Sequence, residues 1–104
     1  MSSVILLPQT TTTATGSSFY VGSATQANLQ FTPQQNLGFT GTVLLESSTA
    51  PNPGATDWFT IATLVFSAHT TTVDFNLYLS NNPWVRARVS AASLGAVSIY
   101  MAAA

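Results

Sequence analysis

The chain has 104 residues and a mass of 10.9 kDa, the size of one ordinary domain, which excludes a multidomain enzyme and confines any chemistry to one small core. It is 46% hydrophobic and 11% aromatic, too apolar to remain disordered, yet only 5% charged where about a quarter is usual. Glu46, Asp57, Asp74, Arg86 and Arg88 are the whole charge complement, and without lysine there is no basic footprint for nucleic acid or an anionic membrane.

The amino terminus, Met1-Ser2-Ser3 followed by the apolar run Val4 to Leu7 and then Pro8, lacks the positive segment and the length of a signal peptide, so a soluble product made in a cytoplasm is expected. Thr10 to Thr13 with Ala14, Thr15 and Gly16 is low in complexity and suits an extended arm. Residues 1–17 are therefore read as an N-terminal arm and 18–104 as the folded domain. Val4 to Leu7 is expected either to add to the sheet of an adjacent subunit or to pack on its own chain.

Phe19 to Val21 and Ala27 to Phe31 are short strand candidates. Phe39, Gly41, Val43 and Leu45 then alternate with Thr40, Thr42 and Glu46, the period-two signature of a strand with one face in the core, although Leu44 falls on the outward parity. Ala50-Pro51-Asn52-Pro53-Gly54 is a loop by its turn chemistry. From Trp58 to Phe66 both parities are apolar, which implies a strand covered on both faces or one that changes phase at a bulge.

Val73, Phe75, Leu77 and Leu79 mark another inward row, as do Val85, Ala87 and Val89, and then Val97, Ile99 and Met101. No amphipathic helix is evident, and no stretch approaches the roughly 20 apolar residues that cross a bilayer. Seven or eight short strands in a chain of this length predict an all-β fold, a single antiparallel β-sandwich or jelly roll with an extended N-terminal arm.

A tight hairpin through Ser80-Asn81-Asn82 would set Tyr78 opposite Trp84, Asn76 opposite Arg86 and Asp74 opposite Arg88. A second hairpin through Ala92 to Gly95 would bring Tyr100 beside Arg86 for a cation–π contact. Most of the formal charge would then lie in one outward row, read as a cross-strand ladder or as part of a partner-facing surface.

Signs of catalysis are weak. His69 is the sole histidine, and its odd spacing from Asp74 puts the two on opposite faces of any strand through both, although Asp57 could reach it across a hairpin. There is no G-x-S-x-G elbow, no calcium-loop spacing around Asn52 to Asp57, and no glycine loop leading into a helix. With cysteine absent as well, neither an enzyme nor a metal or cofactor site is expected. Trp58 and Trp84 have two readings: stacking platforms for sugar rings, or plugs of the sandwich end or of an interface. The second is preferred, because a lone indole without a neighbouring cluster of acids or amides is a weak sugar signal, while Asn81 and Asn82 beside Trp84 keep the first open.

The stretch from Gly41 to Met101 resembles the small all-β virion proteins of tailed bacteriophages. The residues that carry the likeness are Gly41-Thr42-Val43-Leu44-Leu45-Glu46-Ser47-Ser48, Trp58-Phe59-Thr60-Ile61, Pro83-Trp84-Val85-Arg86-Ala87-Arg88-Val89 and Gly95-Ala96-Val97-Ser98-Ile99-Tyr100. The resemblance implies a trimeric decoration protein, made in the bacterial cytoplasm and clamped on the major capsid protein lattice of the virion. It transfers no functional residue.

Two features of the residues themselves agree with this. A surface of hydroxyls, amides and apolar atoms has little colloidal repulsion, and strands without lysine have few charges to blunt their edges, so much of the exterior is expected to be covered by other copies. The expected interface consists of the arm residues Val4, Ile5, Leu6 and Leu7, the indoles Trp58 and Trp84, and the outward Arg86, Arg88 and Tyr100. The alternative function is a carbohydrate-binding or fibre-associated adhesion module.

Overall fold

The computed structural model describes residues 4–10, 13–22, 25–34, 38–79 and 83–103. Among the described residues nine strands follow one another: β1 (Val4–Thr10), β2 (Ala14–Thr15), β3 (Phe19–Tyr20), β4 (Gln26–Pro33), β5 (Phe39–Ser48), β6 (Phe59–His69), β7 (Val73–Tyr78), β8 (Trp84–Gly95) and β9 (Val97–Ala103). They form two antiparallel sheets. The first has the order β1-β9-β4-β7; the second has the order β2-β8-β5-β6, with β3 also pairing β8. The all-β sandwich expected from the alternation of apolar residues is the observed fold.

The inward rows are the expected ones. Leu29 and Phe31 of β4, Leu77 of β7, and Val97, Ile99 and Met101 of β9 face Val43 and Leu45 of β5 and Val85, Ala87 and Val89 of β8, all buried. Phe66 of β6 bridges the layers, with ring centroids 5.8 Å from both Phe31 and Phe39. The two sheets thus share one core, as two half-apolar layers must.

β6 resolves the double apolar parity of its sequence by changing phase. Leu45 opposes Ala62 while Glu46 opposes Thr60, so Ile61 is an extra residue in the ladder, and a second register shift precedes His69. Each bulge flips the strand's faces, which is why apolar side chains occur on both parities.

Within the segment read as an arm, Val4–Thr10 and Ala14–Thr15 are strands, one in each sheet. β1 pairs with β9 of its own chain, Ile5 opposite Tyr100 and Leu7 opposite Ile99, and the extra residue between these pairs turns both Leu6 and Leu7 into the core. β2 pairs with β8, Ala14 opposite Val89. Of the two arrangements expected for Val4 to Leu7, the chain adopts packing on itself. The accessible surface of 5577 Å² matches the roughly 5,600 Å² that size scaling gives a compact monomer of this mass.

Neither expected hairpin forms. β7 pairs with β4, so Tyr78 faces Gln26, Asn76 faces Asn28 and Asp74 faces Gln30. β8 pairs with β5 in the other sheet, and β9 pairs with β1 and β4. β7 and β8 belong to different layers, and Ser80 to Asn82, where the tight turn was expected, lie outside the described residues. Alternation fixes which face of a strand is buried, and both a hairpin and a crossover satisfy it.

Candidate functional site

The outer face of the second sheet gathers most of the chain's charge and both indoles. β5 and β8 are its central strands, and Glu46 lies directly opposite Arg86, with Arg88 two pairs further along opposite Leu44. Arg86 donates from Nε to Glu46 Oε1 at 2.8 Å. Arg88 donates from Nε to Oε2 at 3.2 Å, and its Nη2 lies 3.1 Å from the same oxygen. Both carboxylate oxygens are therefore occupied, and Glu46 itself is buried beneath its partners.

Burial alone would raise the Glu46 carboxyl above its ordinary value. The hydrogen bonds and positive charges of Arg88 and Arg86 outweigh it and hold the group below that value. A carboxylate kept ionised with both oxygens engaged has no free lone pair with which to act as a general base. The cluster is a clamp between two central strands, with a net charge of +1 from its three members.

Aromatic side chains frame the clamp. The Trp58 ring, from the segment leading into β6, lies 4.3 Å from the Arg86 guanidinium carbon, so the cation–π partner of Arg86 is Trp58, in place of the expected Tyr100. At the start of β8, Trp84 meets Tyr20 of β3 edge to face, with centroids 5.2 Å apart. Ser47 Oγ donates to the Trp84 carbonyl oxygen at 2.8 Å and anchors that end of the strand. Both indoles are half-buried, while Tyr20 is 67% exposed.

The remaining expected interface residues are divided between the layers. Arg86, Arg88, Trp58 and Trp84 share this one face. Tyr100 is on the opposite outer face, in a row with Ile5, Gln30 and Asp74, beside a shallow depression of about 120 Å³ lined by Asn28, Gln30, Asp74 and Tyr100. Leu6 and Leu7 are sealed in the core and present nothing to a partner; Ile5 is exposed and Val4 is half-buried. Asp74 is on the other sheet from Arg88, so that expected ion pair is replaced by the one with Glu46.

Asp57 and His69 stand at opposite ends of β6 and do not meet. Asp57 Oδ2 accepts from the Gly54 N–H at 2.7 Å, and His69 Nε2 lies 3.3 Å from Thr71 Oγ1. Among the described residues, no cluster of three or more His, Asp or Glu side chains is placed to hold a metal ion. Glu46 and Tyr20 are the site residues that sequence reasoning missed. Glu46 had a signal: it is the one acid on the outward parity of its strand, and the arginines sit on the outward parity of theirs.

No family model matches the chain, and no curated protein matches its sequence. Among solved structures it is similar to the crystal structure of the SPBc2 prophage-derived protein YomS, with a TM-score of 0.71 and 12% sequence identity, over 98% of this chain and 90% of that one. At that identity the likeness shows a shared fold along nearly the whole of both chains.

Proposed function

We propose that this chain is a non-enzymatic structural protein of a bacteriophage particle, of the capsid decoration or cement type. In this reading it is made in the bacterial cytoplasm, assembles as a homo-oligomer, a trimer, and binds the major capsid protein of the head lattice without a cofactor. The observation that carries the reading is the match of nearly the whole fold to a prophage-derived protein. The economy of charge supports it: three of five formal charges are gathered in the Glu46 clamp with a net charge of only +1, which leaves the rest of the exterior to hydroxyls, amides and apolar side chains.

Mass measurement by light scattering tests the first half. A trimer has three times the 10.9 kDa chain mass, and a single-chain mass at micromolar concentration would remove the oligomer. Sedimentation with phage heads lacking the protein tests the second. Retention on the heads and a raised temperature of head disruption are expected, and free protein in the supernatant at every concentration would remove the decoration role.

The Tyr20–Trp84 pair favours a second reading, an adhesion module that stacks sugar rings on its exposed aromatic edge. A glycan array separates the two, since a decoration protein gives no signal there and an adhesion module loses its signal with Tyr20→Ala.

A further inference from the structure

The sandwich is closed along one side and open along the other. On the closed side β1 is the end strand of one sheet and β2 of the other. Gly16 donates its N–H to the Ala87 carbonyl oxygen at 2.8 Å, and a Cβ at Gly16 would collide with the Leu6 carbonyl oxygen. The open side is bounded by β6, the last strand of the second sheet, and β7, the last strand of the first. They are consecutive in the chain, and among the described residues each pairs with a neighbour on one edge only.

A free edge presents a row of unpaired N–H and C=O groups, which proteins that stay monomeric blunt with lysine, proline, short strands or bulges. β6 is eleven residues long and contains no proline and no Asp, Glu, Lys or Arg. Its two bulges fall near its ends and leave Ala62 to Phe66 in regular register with β5. Across both edge strands the one formal charge is Asp74.

The side chains on this side are incompletely covered. Ile61, Leu64, Val73 and Phe75 are only half-buried, whereas Leu45, Val89, Leu29 and Ile99 on the central strands are closed to solvent. Val65, on the outer face of β6 opposite Thr42, is 76% exposed, and Phe59, opposite Ser47 on the core-facing parity, is still 45% exposed. Apolar residues of this size are left open where another surface completes the burial.

We infer that this open side is the surface on which copies of the chain meet, with Ala62 to Phe66 of β6 adding as a strand to the edge of a neighbouring copy. Ile61, Leu64, Val73 and Phe75 are then buried between the two. The inference rests on the homo-oligomeric reading above and names its surface. A second copy is the fitting occupant because it brings the same unblunted edge and the same uncharged apolar side. Each edge satisfies the other's backbone groups, whereas a surface of ordinary charge would bury ions against residues with none to pair.

The test is the double variant Thr63→Lys, Val65→Lys. Both side chains leave the outer face of the edge strand, opposite Leu44 and Thr42, so the core is untouched while the edge gains two charges. With wild type oligomeric by light scattering, the folded variant is expected at the single-chain mass of 10.9 kDa. A folded variant that keeps the wild-type mass overturns the assignment of this surface and leaves the oligomer standing. A wild type that is a single chain at every concentration overturns both.

Should the variant fail to fold, amide hydrogen exchange on the wild-type oligomer decides. Every amide from Ala62 to Phe66 is expected to be protected as strongly as those of β5, including those that point away from it. Rapid exchange at the outward-pointing amides overturns the inference.

Discussion

Glu46 and Arg86 face each other directly across β5 and β8, with Nε 2.8 Å from Oε1, and the arginine is held between that carboxylate and the face of Trp58. Arg88 takes the second carboxylate oxygen, so one buried acid organises two cations on adjacent turns of the pleat. The pairing joins the two central strands of the second sheet on their outer face, opposite the core.

Glu46→Ala leaves two arginines side by side with no counterion. Breaking a buried pair by removing one partner costs about 3–5 kcal/mol, and the partly exposed Arg88 moderates the loss here, so about 3 kcal/mol is expected by denaturant unfolding. Replacing the pair together, as Glu46→Leu with Arg86→Met, removes both charges and is expected to be clearly less damaging than Glu46→Ala alone. Equal losses in the two variants would show that the clamp contributes packing only.

Stability follows the same carboxylate as pH changes. The folded state holds the Glu46 carboxyl below its ordinary value, so the unfolded chain binds its proton first as pH falls. The contribution is complete above the ordinary glutamate value and is lost as pH falls through the depressed one. Unfolding free energy measured from neutral to acid pH is expected to drop across that interval, and Glu46→Gln is expected to remove that part of the drop. An unchanged pH profile in the variant would refute the role.

Trp58→Ala uncovers one face of Arg86 without touching its ion pair. A partly shielded cation–π contact contributes about 1 kcal/mol, and the loss of ring packing adds to it, so a destabilisation of about 1–2 kcal/mol is expected. Trp58→Phe, which keeps a weaker π face, is expected to fall between Ala and wild type in the same thermal unfolding measurement.

Gly95 ends β8 at φ 71°, and a Cβ there would run into the carbonyl oxygen of Gly38, itself at φ 73°. Backbone cannot retreat as a flexible side chain can, so Gly95→Ala is expected to cost more than about 2 kcal/mol. Gly54→Ala, whose Cβ would meet only Asp57 Oδ2 at 3.4 Å, is expected to be nearly neutral. Comparable losses at both positions by chemical denaturation would contradict this account.

What the sequence determined is the face each strand buries. Val85 and Val89 lie in the core while Arg86 and Arg88 point out, and the same parity holds from Val73 to Leu79 and from Val97 to Met101. That information is local, because successive side chains alternate whatever strand lies alongside. The all-β class and the outward position of Glu46 followed from it.

Which strand lies alongside was decided by the tertiary structure. An Asp74–Arg88 ladder and a Glu46–Arg86 clamp both put every charge outward and every valine inward, so alternation cannot choose between them. The choice rests on contacts far apart in sequence: β5 with β8, β4 with β9, and β1 filling the first sheet with Leu6 and Leu7 turned in together by a bulge. Only when both layers closed on one core did Arg86 find Glu46 and Trp58, and only then did the β6–β7 side remain open, because burying the most apolar area sets the neighbours and no short stretch of chain records that sum.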